Sequence, residues 1–318
     1  MIEGIEKIAC IGSGLVGQSW AALYVLHGYH VVLQDVSKEK LLTAVKRIYH
    51  HMDVLVEAGL AQKQNKAEIQ LTTTTRLEDA LRGVDFVTES VYESLDVKRS
   101  LYAKMDKLTP EDVVLASSTS GYMMSEIGQD MKNHPERAIV AHPWNPVHLI
   151  PLVELSPSPY TSKETINWTY KLMDDIGRVP VVLKKEAPGF IANRISVALW
   201  REALDIVNRG IASVEDVDKA IMAGPGIRWA MMGPYLTYHL GGGEGGIEYL
   251  MDHIGVKKQE WLKDMANWTE FPEGVKDKAV QGVDELVGDM SLEELEAWRD
   301  QYLISLNKLL WSGDREIY

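Results

Sequence analysis

Cysteine is nearly missing from this sequence. Cys10 is the single one among 318 residues. It can anchor no disulfide framework, which suits a reducing compartment, the cytoplasm. Positive charge is short as well. Against 46 Asp and Glu stand 33 Lys and Arg, a net charge of −13. Such a balance excludes nucleic acid or an anionic membrane as the main partner. No apolar run nears the roughly 18 residues of a membrane span, and no charged-then-apolar leader precedes the first strand, so neither a span nor a signal peptide is expected. That strand begins almost at residue 1, leaving no room for a long transit peptide. Internal repeats and low-complexity tracts are absent too. What remains is ordinary globular material, 46% hydrophobic and 25% charged. It is enough for one large or two modest domains.

The most informative stretch is Gly12-Ser13-Gly14-Leu15-Val16-Gly17, followed 18 residues after Gly17 by Asp35. Ile5 to Ile11 reads as a short buried strand. Gln18 to His27 reads as an amphipathic helix with Trp20, Leu23 and Leu26 on one side, and Val31 to Gln34 as a second strand that ends at Asp35. This is a G-x-G-x-x-G turn in the strand–turn–helix–strand setting it needs. The first Gly allows the tight turn, the second lets a pyrophosphate approach the backbone, and the third lets helix and strand pack closely. A carboxylate at Asp35 accepts from both ribose hydroxyls and repels a 2′-phosphate, which predicts NAD rather than NADP.

Strand and helix signals alternate as far as residue 187. Strands are expected at 85–88, 113–116, 138–141, 150–155 and 179–183, with helices at 95–108, 123–131 and 162–176 and a long helical insertion from Val45 to Lys66. This alternation predicts an α/β, Rossmann-type doubly wound sheet. From Pro188 helical periodicity dominates, so residues 1–187 are assigned to an NAD-binding domain and 188–318 to an all-α domain. The glycine run from Gly241 to Gly246 reads as a loop.

Four polar positions carry the chemistry. Ser120 and His142 fall just past strand ends, where ligands of open α/β sheets sit. Glu154 follows His142 by twelve residues, and Asn193 opens the helical part. A histidine can take a hydroxyl proton as hydride leaves, and a carboxylate such as Glu154 fixes its tautomer. Ser120 and Asn193 can hold the reacting oxygen, though each also suits a plain helix cap. No metal enters this scheme.

With those motifs in place, the sequence resembles the short-chain L-3-hydroxyacyl-CoA dehydrogenase family over residues 1 to about 250. The resemblance rests on Gly12 to Gly17, Val91 to Lys98, Ser117-Ser118-Thr119-Ser120, His142-Pro143-Trp144-Asn145-Pro146, Pro151 to Leu155 and Pro188 to Arg194. It implies a His–Glu dyad at His142 and Glu154, with active-site residues at Ser120 and Asn193. It implies cofactor contacts at Leu15, Val16, Asp35, Glu93 and Lys98, and a homodimer joined through the helical domain. Ser118 replaces the asparagine usual in the acyl-CoA enzymes, Pro143-Trp144 replaces an aromatic pair, and the chain runs on past the usual end. These departures resemble the branch holding lambda-crystallin (L-gulonate 3-dehydrogenase) and L-carnitine dehydrogenase, the carnitine enzymes more closely. A 3-hydroxy acid substrate follows, L-carnitine first, with L-gulonate and a 3-hydroxyacyl-CoA as alternatives. A crystallin-like structural protein or an NAD sensor is the alternative from another class. A trimethylammonium group is held by aromatic faces, which makes Trp144, Trp200, Trp229, Tyr235 and Tyr238 cage candidates. Arg194, Arg201 and Arg228 are candidates for a substrate carboxylate.

Overall fold

The computed structural model describes residues 2–64 and 69–311. It divides into two compact units, one ending at Asn193 and the other beginning at Arg194. The first unit is built on an eight-stranded sheet of order β3-β2-β1-β4-β5-β6-β7-β8. Its strands are β1 (Lys7–Ile11), β2 (His30–Gln34), β3 (Leu71–Thr74), β4 (Phe86–Glu89), β5 (Val114–Ser117), β6 (Ala138–Pro143), β7 (Leu152–Pro157) and β8 (Val179–Val182). β1 to β6 run parallel, and β7 turns back antiparallel to β6. The strand order reverses direction between β1 and β4, which makes the mouth between them the place for a ligand.

Alternation along the strands sorts side chains to the two faces. Ala9, Ile11, Val32, Val87, Leu115 and Val140 share a buried cluster with Tyr102, Met105, Met124 and Ile127. Each such aliphatic side chain contributes roughly 1.5–3 kcal/mol when fully buried. The helices of this unit are α1 (Leu15–Leu26), α2 (Lys38–Glu57), α3 (Leu77–Ala80), α4 (Leu95–Leu108), α5 (Met124–Ile127) and α6 (Lys163–Asp175).

Three local expectations change. α1 is not amphipathic: Gly17 to Leu26 are all buried, because the helix lies among the strands it joins and α2. α2 starts at Lys38, seven residues before Val45, because the Ser37 hydroxyl caps it by accepting from the Lys40 N–H at 3.3 Å. It ends at Glu57, well before the expected Lys66, because the chain turns at Ala58 and at Gly59 with φ +67°; Lys66 itself lies outside the described residues. The helix expected at 123–131 is a single α turn followed by a 3₁₀ turn, Gly128–Asp130.

The second unit is built of helices, with no strand among its described residues. After α7 (Ala192–Asn208) come α8 (Val214–Ala223), α9 (Pro225–Met231), α10 (Pro234–Gly241), α11 (Gly246–Tyr249), α12 (Gly255–Asp264), α13 (Val275–Val287) and α14 (Leu292–Trp311). The glycine run is no loop: it closes α10, forms a 3₁₀ turn and starts α11. Among the described residues no helix is long and apolar enough to cross a membrane.

Candidate active site

The turn after β1 is shaped by its glycines. Gly12 has φ +100°, and a Cβ there would meet the Ser90 carbonyl oxygen at 2.5 Å. A Cβ on Gly17 would collide with the Gly12 carbonyl, so the helix packs on the strand through bare backbone. A Cβ on Gly14 would meet nothing within 4 Å. That open side is where a phosphate can come close. α1 starts there with no side-chain cap and no acidic residue in its first turn, leaving its positive end for an anion.

Asp35 stands at the other edge of the same cleft. Its Oδ2 accepts from the Ser13 amide at 3.1 Å and the Ser13 hydroxyl at 2.7 Å, and its Oδ1 accepts from the Ser37 amide at 3.1 Å. Burial pushes its carboxyl up, but the Ser13 hydroxyl, the two amides and Lys40 outweigh burial and hold it below the ordinary value. It is therefore an ionised acceptor beside the glycine turn. The cleft measures about 1360 Å³ and is lined by Gly12, Ser13, Gly14, Leu15, Asp35 and Tyr92 among others. Uncapped helix end, bare glycine turn and an ionised carboxylate lining the same cleft together fit NAD.

Lys98 is neither solvated nor free. It is 1% exposed, pairing with Glu89 at 2.8 Å and Glu93 at 3.2 Å. Glu93 in turn accepts from the Thr119 hydroxyl at 2.5 Å and from the amides of Ser120 and Gly121, each at 3.2 Å. Burial raises the Glu93 carboxyl, and Thr119, Lys98 and Gly121 more than reverse it. Sequence reasoning missed Glu89, whose Oε2 also accepts from Ser117 at 2.7 Å. A glutamate at the end of an apolar strand, nine residues before a lysine, is the signal that could have found it.

β6 and β7 place His142 and Glu154 directly opposite each other. Their side chains meet, His142 Nδ1 donating to Glu154 Oε2 at 3.0 Å. The assignment of the proton follows from the acceptor, since an ionised carboxylate has only lone pairs to offer. Glu154 is 1% exposed and takes three further donors. The Ile191 and Ala192 amides reach Oε1 at 2.8 and 2.9 Å, and the Trp144 indole N–H reaches Oε2 at 3.3 Å. Those amides are aimed by a turn in which Gly189 and Phe190 both have positive φ, 75° and 50°. A non-glycine residue in that region is strained and marks a geometry the surroundings enforce. The Phe190 ring lies 5.1 Å from the His142 ring. Burial raises the Glu154 carboxyl, and His142, the two amides and Trp144 reverse this, so it stays ionised below the usual range.

The remaining expected residues are spread more widely. Ser120 is exposed, three residues past the end of β5, the strand that neighbours β6. Asn193 is the second residue of α7, next to the Ala192 amide that holds Glu154. In the helical unit Trp200, Trp229 and Tyr235 are exposed. The Tyr238 ring already carries a cation, Lys258 Nζ at 3.7 Å. Arg201 donates to the Trp268 carbonyl at 3.4 Å.

Known proteins share this sequence and fold. The family models for the NAD binding domain and the C-terminal domain of 3-hydroxyacyl-CoA dehydrogenase match residues 7–187 and 189–281. The chain is 40% identical to an L-carnitine dehydrogenase of Nocardiopsis dassonvillei, across 98% of this chain and 94% of that one. It is 39% identical to an L-carnitine dehydrogenase of Bacillus cereus, across 98% and 95%. The solved structure of a 5-formyl-3-hydroxy-2-methylpyridine 4-carboxylic acid 5-dehydrogenase, an NAD-dependent dismutase, superposes with a TM-score of 0.79 at 28% identity, covering 98% of this chain and 100% of that one. The two matched segments span most of the sequence, and the chain belongs to the 3-hydroxyacyl-CoA dehydrogenase family, whose members are NAD-dependent dehydrogenases.

Proposed function

We propose that the protein is a cytoplasmic dehydrogenase that oxidises the hydroxyl of a 3-hydroxy acid, with L-carnitine converted to 3-dehydrocarnitine. One observation carries the reading: a buried His142–Glu154 pair in a chain whose near-full-length relatives are L-carnitine dehydrogenases.

Bound NAD supplies the hydride acceptor. Gly12, Ser13, Gly14, Leu15, Val16 and Gly17 would cradle its pyrophosphate, Asp35 would take the adenine ribose, and Glu93 would face the far ribose, with Lys98 buried behind it as the cation that holds the Glu93 carboxylate. Glu154 fixes the Nδ1–H tautomer of His142, leaving Nε2 with the lone pair that takes the hydroxyl proton. The imidazolium so formed faces an ionised carboxylate. Ser120 and Asn193 hydrogen-bond the reacting oxygen and align it. Residues 1–187 act as the NAD-binding domain and 188–318 as the substrate and dimerisation domain. Trp200, Arg201 and Trp229 are that domain's proposed substrate contacts. Tyr238 is the weakest of the set, with Lys258 over its ring.

The apolar surface that the helical unit leaves uncovered supports reading the protein as a homodimer. Its buried hydrophobic side chains, among the described residues, are Leu204, Leu250 and Val275. Ile195, Val197, Leu199 and Trp200 on α7 are exposed, as are Trp298, Tyr302, Leu306 and Leu309 on α14. Apolar area on this scale is covered by a second copy in a two-fold contact.

The test is NADH formation at 340 nm with L-carnitine, L-gulonate and L-3-hydroxybutyryl-CoA. The reading expects carnitine to be preferred by at least tenfold in kcat/KM. Preference for either other substrate overturns the substrate assignment and leaves the dehydrogenase.

A further inference from the structure

Glu154 is saturated. A carboxylate offers about four acceptor positions, and four donors fill them: His142 and Trp144 on Oε2, Ile191 and Ala192 on Oε1. Three of the four are what a His–carboxylate pair needs. The imidazole is the working partner, and the two backbone amides fix the carboxylate plane. The fourth, an indole N–H, is the one donor supplied by a side chain that has no part in proton exchange.

Trp144 is the first residue past β6, two residues beyond His142, and its indole N–H turns back toward Glu154. Glu154 lies opposite His142 in the β6–β7 ladder. The indole therefore reaches across to the oxygen the imidazole uses, at 3.3 Å against 3.0 Å. Trp144 is half-buried, so this bond is shielded from bulk water on the protein side.

Resting on the proposed function, we infer that Trp144 is a positioning residue for the reaction: its indole N–H shares Glu154 Oε2 with His142 and thereby sets how strongly the carboxylate holds the imidazolium. Two donors on one oxygen divide its negative charge. With the indole in place, Oε2 divides its accepting capacity between the imidazole and the indole. Without the indole, Oε2 faces His142 alone, and the protonated imidazole is favoured. The described groups in contact with the pair are Trp144 beyond β6, the Ile191 and Ala192 amides, and the uncharged Phe190 ring. The described contacts place no second charged side chain against Glu154. The indole N–H is thus the adjustable element of the pair. This role differs from a cage wall for the substrate cation, which uses the ring face and not the N–H.

Trp144→Phe separates these roles, because it keeps an aromatic ring and removes the donor. The readout is the pH profile of kcat for alcohol oxidation, with KM for NAD and for the 3-hydroxy acid taken alongside. The inference expects the acid limb to move up by roughly half to one pH unit, a three- to tenfold change in the proton equilibrium. Both KM values should stay within about twofold. Trp144→Gln, which restores an N–H donor, should return the limb toward its wild-type position, and Trp144→Met, which has none, should not. This second pair keeps the test available if the phenylalanine variant folds poorly. An acid limb that stays put in both Trp144→Phe and Trp144→Met overturns the inference. So does an unshifted profile with KM raised only for a cationic substrate, which assigns Trp144 to substrate recognition. Normal turnover in His142→Gln overturns the proton-exchange reading itself, and is distinguishable because it does not depend on Trp144.

Discussion

His142 and Glu154 face each other across the antiparallel β6–β7 ladder and are joined by a 3.0 Å hydrogen bond. Direct cross-strand partners on one sheet face have their Cβ atoms about 4.5–5.5 Å apart. The pairing of imidazole and carboxylate is therefore built into the register. It does not depend on a loop conformation. The connection between the strands can vary without separating them.

Glu154→Gln should lower turnover by roughly two to four powers of ten. The amide keeps the shape of the carboxylate, loses its charge, and no longer fixes the Nδ1–H tautomer. NAD affinity, measured by fluorescence quenching, should change less than about threefold, because Asp35 and the glycine turn are untouched. Near-normal turnover would separate Glu154 from the chemistry.

Asp35→Ala removes the charged acceptor at the ribose end of the cleft. Losing hydrogen bonds to a charged group costs about 1.5–3 kcal/mol, so KM for NAD should rise roughly tenfold or more. The preference for NAD over NADP should narrow. The ratio of kcat/KM values for the two cofactors checks this, and an unchanged ratio would contradict it.

The cofactor half of this arrangement was legible because its determinants are local. The glycine turn and Asp35 lie within 24 residues and carry their own steric logic. β3 was not legible. Leu71-Thr72-Thr73-Thr74 holds one apolar residue and lies at the edge of the sheet, where half-exposed threonines give no hydrophobic pattern. α2 begins seven residues before the expected Val45, because Lys38, Glu39 and Lys40 carry no apolar period while the Ser37 cap sets the start.

The catalytic half was legible in part. His142 and Glu154 stood out by residue type and spacing. Three of the four groups that hold Glu154 were less visible. The Ile191 and Ala192 amides carry no side-chain signal and are aimed by the left-handed turn at Gly189 and Phe190. The indole of Trp144 reads as a hydrophobic ring, and only its hydrogen bond to Glu154, made from just past the end of β6, shows the N–H in use.

Asp106 should make the fold acid-sensitive. It is buried, accepts from the Lys132, Asn133 and His134 amides at 2.9, 2.8 and 3.0 Å, and pairs with Arg137 at 3.1 Å. Burial pushes its carboxyl up, and the Asn133 and His134 amides, Arg137 and Lys132 bring it below the ordinary value of 3.8. A lowered carboxyl adds stability that is present above its unfolded value and lost as pH falls through the folded one. Tm should therefore drop as pH is taken below about 4. Asp106→Asn leaves Arg137 buried without its anion and should cost about 3–5 kcal/mol at neutral pH. An unchanged Tm in that variant would show the pair to be unimportant.

Light scattering at micromolar concentration should give twice the 35.7 kDa chain mass. Trp298→Glu on α14 places a charge on an exposed apolar stripe and should weaken the assembly. A stable, active monomer in the wild type would contradict the reading of the helical unit.

His142→Gln tests the central claim most directly. Steady-state NADH formation at 340 nm should fall by roughly two to four powers of ten, while NAD binding stays within about threefold of wild type. Turnover within tenfold of wild type, with the fold and NAD binding intact, would contradict the assignment of His142 as the group that takes the substrate's proton.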